Sequence, residues 1–454
     1  VSAPKYPSFA EALRFWFKLG LISFGGPAGQ IGIMHEYLVE KRRWISDQKF
    51  LHALNYCMLL PGPEAQQLAT YTGWLLHGTR GGLAGGLLFV LPSMLLLGLL
   101  STLYVLYGTL PAVDALFYGL KPAVVAIVLL ALYRIARRSL NTLLHLLLAL
   151  ASFAALFVFR LPFPLLMVSI LLFALLLHRF RPSWLTLAPA SGPNDHAGRK
   201  VSAPSATAAL NEEAYLLHSG LLLPHTRFRT GKLLRTLGIC VALWFLPFGL
   251  FAAFSEDFSF WKTLSLFFSQ AALVTFGGAY AVLPYVAQVS VEHLGWLSST
   301  EMVDGLALGE TTPGPLVMIL TFVGYMAGYN HFDQSISMGL LGLATTTFYT
   351  FLPCFLFIFA GAPLIEKTQA NRTLTAALSL VTAGVVGVIL NLTLYLAREV
   401  LFQGSFQFAG LDGLAAGWML VSLVALARFK VNMIRWIGIS ALFGLVLHGL
   451  RTLG

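Results

Sequence analysis

With 454 residues, 57% of them hydrophobic and 11% charged, and a mean hydropathy of +0.78, the chain is too apolar for a water-soluble fold and offers many runs long enough to cross a bilayer. The formal net charge of +10 comes from 29 Lys and Arg set in short segments between apolar runs, which is the distribution of cytoplasmic loops and not of a nucleic-acid surface. Cys57, Cys240 and Cys354 each stand alone in apolar sequence, without the spacing of a metal site or a disulfide framework, and the start VSAPKYPSFAEALRFWF lacks the regions of a signal peptide.

Hydropathy predicts apolar segments at about 15–35, 51–77, 82–108, 111–133, 140–159 and 162–178. A stretch rich in Pro, Ser, Ala and charge follows at 181–235, carrying Arg181, Arg199, Lys200, Arg227, Arg229, Lys232 and Arg235. It reads as a basic, partly disordered cytoplasmic linker. An unpaired run at about 236–254 precedes six more segments, at about 264–290, 303–329, 335–361, 372–397, 412–427 and 432–450. The expected organisation is a first unit at 1–180, the linker at 181–235, an unpaired transmembrane helix at 236–262 and a second unit at 263–454.

The two units are copies. Phe24-Gly25-Gly26-Pro27, Trp44-Ile45-Ser46 and Pro61-Gly62-Pro63 recur as Phe276-Gly277-Gly278-Ala279, Trp296-Leu297-Ser298 and Pro313-Gly314-Pro315, each 252 residues later. Phe15 and Phe267, Leu21 and Leu273, Val39 and Val291, Glu40 and Glu292, and Leu54 and Leu306 match at the same offset. Loop charges orient the copies oppositely. Lys41, Arg42, Arg43, Lys49, Arg80, Arg134, Arg137 and Arg138 place the basic loops of the first unit inside, whereas the matching loop from Glu292 to Glu310 has no Lys or Arg. In the second unit the basic loops are the next ones along, Lys367 with Arg372, then Arg428, Lys430 and Arg435.

The same rule shapes the second segment. If 51–77 crossed fully, Arg80 and Arg134–Arg138 would lie outside, so it is predicted to enter and return on one side with Pro61-Gly62-Pro63 at its midpoint. The first segment, broken at Gly25-Gly26-Pro27, either returns in the same way or crosses with a break. The expected fold is an all-α polytopic membrane protein of two inverted-topology repeats, with broken or re-entrant helices meeting near the membrane midplane.

Chemistry is expected at these breaks. Gly25-Gly26 and Gly277-Gly278 free backbone N–H groups and admit close approach, and a helix starting there aims its positive end at an anion. Small residues that merely let helices pack are the alternative, and Gly81, Gly82, Gly85 and Gly86 fit that role. Phe24, Pro27, Gln30 and Thr275 join the candidate set, as do Pro61, Gly62, Pro63, Thr311, Thr312, Pro313, Gly314 and Pro315, whose prolines remove backbone donors and stop regular helix. Glu64 and Glu310 flank the turns and are the proton-coupling candidates, the alternative being helix caps. Lys121 falls near mid-bilayer and would balance an anion's charge, or else form a structural ion pair with Asp114 or Glu64. Aligned at an offset of 261 residues it meets Thr382, so it has no charged twin. Arg42 and Arg43 set topology or collect anions at the entrance. His35, Glu36 and His52 read as interfacial polar residues. No metal-ligand cluster and no phosphate-binding loop appears, so neither a metal nor another cofactor is expected and transport would be driven by a gradient.

The chain resembles the chromate ion transporter family in its long, two-unit form. The resemblance rests on F-G-G-P at 24–27, W-I-S at 44–46, L-P-G-P-E-A at 60–65, G-W-L-L-H-G-T at 73–79, F-V-L-P-S at 89–93, G-L-K-P-A-V at 119–124, F-G-G-A-Y at 276–280 and T-T-P-G-P-L at 311–316. It covers nearly everything but the linker, and it departs internally where Ala279 replaces Pro27. The resemblance implies export of chromate across the bacterial inner membrane by a multi-pass antiporter, with sulfate as a similar competing anion. A homodimer is compatible with this reading, and the lipid bilayer is the only other partner expected. The rival expectations are a sulfate or other oxyanion importer on the same scaffold, an intramembrane lipid-modifying enzyme with Glu64 and His52 as acid and base, and a structural or sensory subunit.

Overall fold

The structure is a computed structural model, and it describes residues 6–24, 26–180, 215–218, 226, 228–365, 372–402, 404, 407 and 410–453. Gly25, most of the linker with Arg181, Arg199, Lys200 and Arg227, and Lys367 lie outside the described residues. The described chain is helical, and it contains six helices long and apolar enough to cross a membrane together with three shorter apolar ones. It is an all-α polytopic membrane protein.

The first unit opens with two helical hairpins. Ser8 caps α1 (Phe9–Ile22) by accepting from Glu11 N, and the helix ends at the Ser23–Gly26 break. The chain resumes as α2 (Gly26–His35), continued by a wider π turn at Glu36–Lys41. The ends of this segment meet: Arg42 pairs with Glu11 at 3.0 Å, Phe15 stacks on Tyr37 at 4.0 Å, and Trp44 meets Phe15 edge-on. The segment therefore turns back on itself. Ser46 caps α3 (Asp47–Leu59), which runs to Pro61-Gly62-Pro63 and returns as the first arm of α4 (Glu64–Tyr107).

That 44-residue helix is itself folded. His77 and Gly78 leave helical geometry, Gly78 with φ of +62°, and residues beyond them double back along 64–76. Glycine makes the fold-back possible: a Cβ on Gly81 would sit 2.2 Å from Gly73 O, and one on Gly85 would sit 2.5 Å from Ala69 O. The glycines read as packing residues do pack, at the seam of this hairpin. Helices α5 (Pro111–Ser139), α6 (Leu143–Phe157) and α7 (Phe163–Phe180) complete the unit.

Helix α8 (Thr230–Phe254) starts inside the stretch expected to be linker. Part of that linker is also docked, since Leu217 is buried and exchanges backbone hydrogen bonds with Trp44 and Ser46 at 3.0 and 2.8 Å. The second unit then repeats the first: α9 (Phe258–Val274), α10 (Ala279–Ala287) with a π turn at Gln288–His293, and α11 (Ser299–Thr311) under a Ser298–Glu301 capping box. The π turns and the third helices of the two units begin and end 252 residues apart. A short 3-10 turn at Leu316–Met318 leads into α12 (Ile319–His331), which packs back on α13 (Ile336–Leu356), again through glycine, Gly324 against Gly342. A π turn and α14 (Ala362–Ile365) follow, then α15 (Arg372–Leu401), α16 (Gly413–Ala427) and α17 (Met433–Leu453).

The apolar core divides unevenly. The second unit's hairpins share one cluster with α5 and α15, whereas the first unit's hairpins centre a second cluster on Trp16, Phe50, Tyr71 and Met34, which also takes in Leu217, Ile358 and Ala362.

Candidate functional site

The duplicated breaks cross. Gly62 N, in the proline turn of the first unit, donates to Thr275 O in the break of the second, and Gly314 N donates to Ser23 O in the break of the first, both at 2.7 Å. Each bond is the other displaced by 252 residues at both ends. Phe24 N to Ile22 O and Phe276 N to Val274 O close matching tight turns at 3.0 and 3.1 Å. Positive φ is needed at Gly62 (+115°) and Gly314 (+103°), and crowding adds to it. A Cβ on Gly62 would lie 2.8 Å from Cys354 Sγ, and one on Gly314 2.7 Å from Ser93 Cβ.

The carbonyl ends of the broken helices are occupied. Besides the crossed bonds, Gln30 Nε2 donates to Gly314 O at 2.5 Å and to Ser23 O at 3.3 Å, and Gln67 Nε2 donates to Pro61 O at 2.7 Å. Thr311 and Thr312 turn their hydroxyls back to Leu308 O and Gly309 O, and Thr275 turns its hydroxyl to Ala271 O. The amide ends are different. Helices α2 and α10 begin beside Gly26 and Gly278, where nothing comes within 4 Å of an added Cβ, and Phe24, Pro27 and Gly277 are half-buried around them. Ser23 Oγ and Ser93 Oγ, and the amide oxygens of Gln30 and Gln67, are buried without a hydrogen-bond partner among the described residues. A helix N-terminus and a buried hydroxyl with no acceptor are both groups able to donate to an anion.

The family model for "Chromate transporter" matches residues 10–177 and 262–445, both units and not the linker. The chain belongs to the chromate transporter family. It is 32% identical over 428 residues to a chromate transport protein of Pseudomonas aeruginosa, covering 92% of this chain and 88% of that one. A probable chromate transport protein of Synechococcus elongatus is 28% identical, with 92% and 91% covered, and a chromate transport protein of Cupriavidus metallidurans is 27% identical, with 99% and 95% covered. No solved structure matches. Family membership makes this chromate-family chain a transporter and not an enzyme.

In this chromate-family chain the two carboxylates at the turns differ. Glu310, the last buried residue of α11, accepts from Tyr280 Oη at 2.8 Å, whereas Glu64 opens α4 and has no partner among the described residues. Lys121 does not touch the breaks. Its Nζ lies 2.9 Å from Asp304 Oδ1, and Tyr104 donates to Asp304 Oδ2 at 3.0 Å. The partner is thus neither Asp114 nor Glu64, because α5 packs against α11 of the other unit at this level. Asp304 lies nearly two turns before Glu310 on α11, roughly 9 Å along the axis. Sequence reasoning missed it, although a carboxylate in the apolar run 303–329 was signal enough. Arg42, besides pairing with Glu11, lies over the rings of Tyr37 and Trp44, and Arg43 has φ of +52° in the turn that accepts Leu216 N. His35 ties the first hairpin to the second through Asp47 at 2.7 Å.

Proposed function

We propose that this protein is a secondary active transporter that exports chromate, a tetrahedral dianion, across the bacterial cytoplasmic membrane, with the anion held where the two pairs of broken hairpins cross. The reciprocal bonds from Gly62 N to Thr275 O and from Gly314 N to Ser23 O carry this reading. They bring two copies of one motif together, an arrangement that many alternating-access transporters use. Phe24, Gly25, Gly26, Pro27, Gln30, Pro61, Gly62, Pro63, Thr275, Gly277, Gly278, Thr311, Thr312, Pro313, Gly314 and Pro315 build the site, and Lys121 supplies charge beside it.

The copies are inverted in this reading. If both hairpin pairs enter and return, nine helices cross, and the loops between α4 and α5 and between α12 and α13 lie outside. Of the 29 Lys and Arg, only Arg160, Lys262, Arg398 and Arg451 then fall on the outer half and Lys121 within, every other one belonging to the inner half. Glu64, half-buried at the turn and without a hydrogen-bond partner among the described residues, is the coupling residue, and Glu310, held by Tyr280, is its less mobile counterpart. Arg42 and Arg43 mark the inner mouth.

Everted vesicles offered chromate and sulfate separately test the substrate and direction. Uptake of chromate into them, outcompeting sulfate, is expected, and sulfate movement in the opposite sense alone would mean an importer on the same scaffold. Counterflow in proteoliposomes, first under a pH gradient and then under a sulfate gradient, separates proton coupling from anion exchange.

A further inference from the structure

The ion pair between Lys121 and Asp304 has a counterpart position in the repeat, and the counterpart cannot form it. At offsets of 252 and 261 residues, Asp304 corresponds to His52 and Lys121 to Thr382. The difference extends along the helices that carry them. On α11 every residue from Met302 to Glu310 is buried, and α10 is buried from Ala281 to Ala287. On the matching face of the first unit Asn55 is exposed where Ala307 is buried, His52 and Met58 are half-buried where Asp304 and Glu310 are buried, and Ala28 and Gly32 are exposed. The second unit's hairpins are part of the main core, and the first unit's hairpins form a separate cluster. One side of the crossing is closed and carries the ion pair, and the other is partly open and lacks that pair's counterpart.

We infer that Lys121 and Asp304, with Tyr104, form a latch that closes the outer path, and that the transported oxyanion releases it by taking Lys121 from Asp304. This rests on the function proposed above and assigns its gate. The geometry suits exchange and not only support. Lys121 has one positive charge, already matched at 2.9 Å by a carboxylate that is 6% exposed, so a dianion arriving at the lysine cannot be accommodated while Asp304 stays paired. Asp304 is the internal competitor of the substrate. When its lysine is taken, α11 loses its charged tie to α5 and the second unit's hairpins are free to part from the core. The open inner face around Asn55 and Gly32 is the other half of the same cycle.

Cysteine accessibility in full-length protein tests the latch. Asn55→Cys and Ala307→Cys are labelled with a membrane-impermeant thiol reagent, against a background in which Cys57, Cys240 and Cys354 are buried. Without substrate, the cysteine at 55 should react fast and the one at 307 slowly. Adding Lys121→Gln with Asp304→Asn should speed reaction at 307 at least tenfold and slow it at 55, while the charge swap Lys121→Asp with Asp304→Lys should return 307 to slow labelling. Chromate should speed reaction at 307 in the protein with the native pair and leave the doubly neutral protein unchanged. Rates at 307 that respond to neither substitution nor swap, in protein that still moves chromate, overturn the latch. Rates that respond to the substitutions and not to chromate leave the latch standing and instead count against chromate as the ligand.

Discussion

At the scale of single residues, the site divides between positions fixed by backbone geometry and positions free to act. Gly62 and Gly314 combine positive φ with neighbours under 3 Å from any Cβ, so Gly62→Ala or Gly314→Ala should each cost about 1–3 kcal/mol and cut counterflow severely. Gly32→Ala, where the space is open, should be tolerated. Thermal unfolding in detergent and counterflow in proteoliposomes check both. Glu64 is a different kind of residue, because no hydrogen bond holds it among the described residues. If it carries the coupled proton, Glu64→Gln should leave chromate counterflow within a few-fold of the parent and reduce accumulation under an imposed pH gradient at least tenfold. These residues were legible in the sequence because glycine and proline inside apolar segments are costly unless used, and duplication marks which of them are used. Asp304 and Tyr280 were not, since the partners of Asp304 come from the other unit and that of Tyr280 from the next hairpin. No spacing within one segment encodes that Lys121 on α5 meets Asp304 on α11 rather than Asp114 or Glu64.

Among the elements, the hairpins carry the proposed site. The apolar runs at 51–77 and 303–329 were readable as hairpins, from loop charge in the first case and from repetition in the second. The first segment of each unit was not. What closes it is a set of contacts between distant ends, Glu11 with Arg42 and Phe15 with Tyr37 in one copy, Phe260 and Phe267 with Trp296 in the other, and hydropathy is blind to such pairing. The docking of Leu217 beside Trp44 and Ser46 escaped notice for a related reason, since a short strand pairing inside a polar linker leaves no periodic pattern. Glycine seams hold the hairpins shut. Gly81→Val and Gly342→Val place side chains against backbone 2.1–2.2 Å from the Cβ position, so both should sharply reduce the amount of folded protein in the membrane, whereas Leu95→Ala on the exposed face of α4 should not. Quantitative blotting of membrane fractions is the check.

For the whole molecule, the two units differ as much as they repeat. One pair of hairpins joins the main core and is fastened by an ion pair, and the other centres a second cluster with a partly open face. A symmetric sequence in an asymmetric arrangement is what a transporter caught at one end of its cycle would show, provided the copies face opposite sides. That inversion is the central claim, and it is tested by labelling single cysteines placed in the exposed hairpin turns at Thr79 and Gln334 with an impermeant reagent in right-side-out and everted vesicles. The account predicts that Thr79→Cys reacts only in everted vesicles and Gln334→Cys only in right-side-out ones; reaction of both from the same side would contradict it.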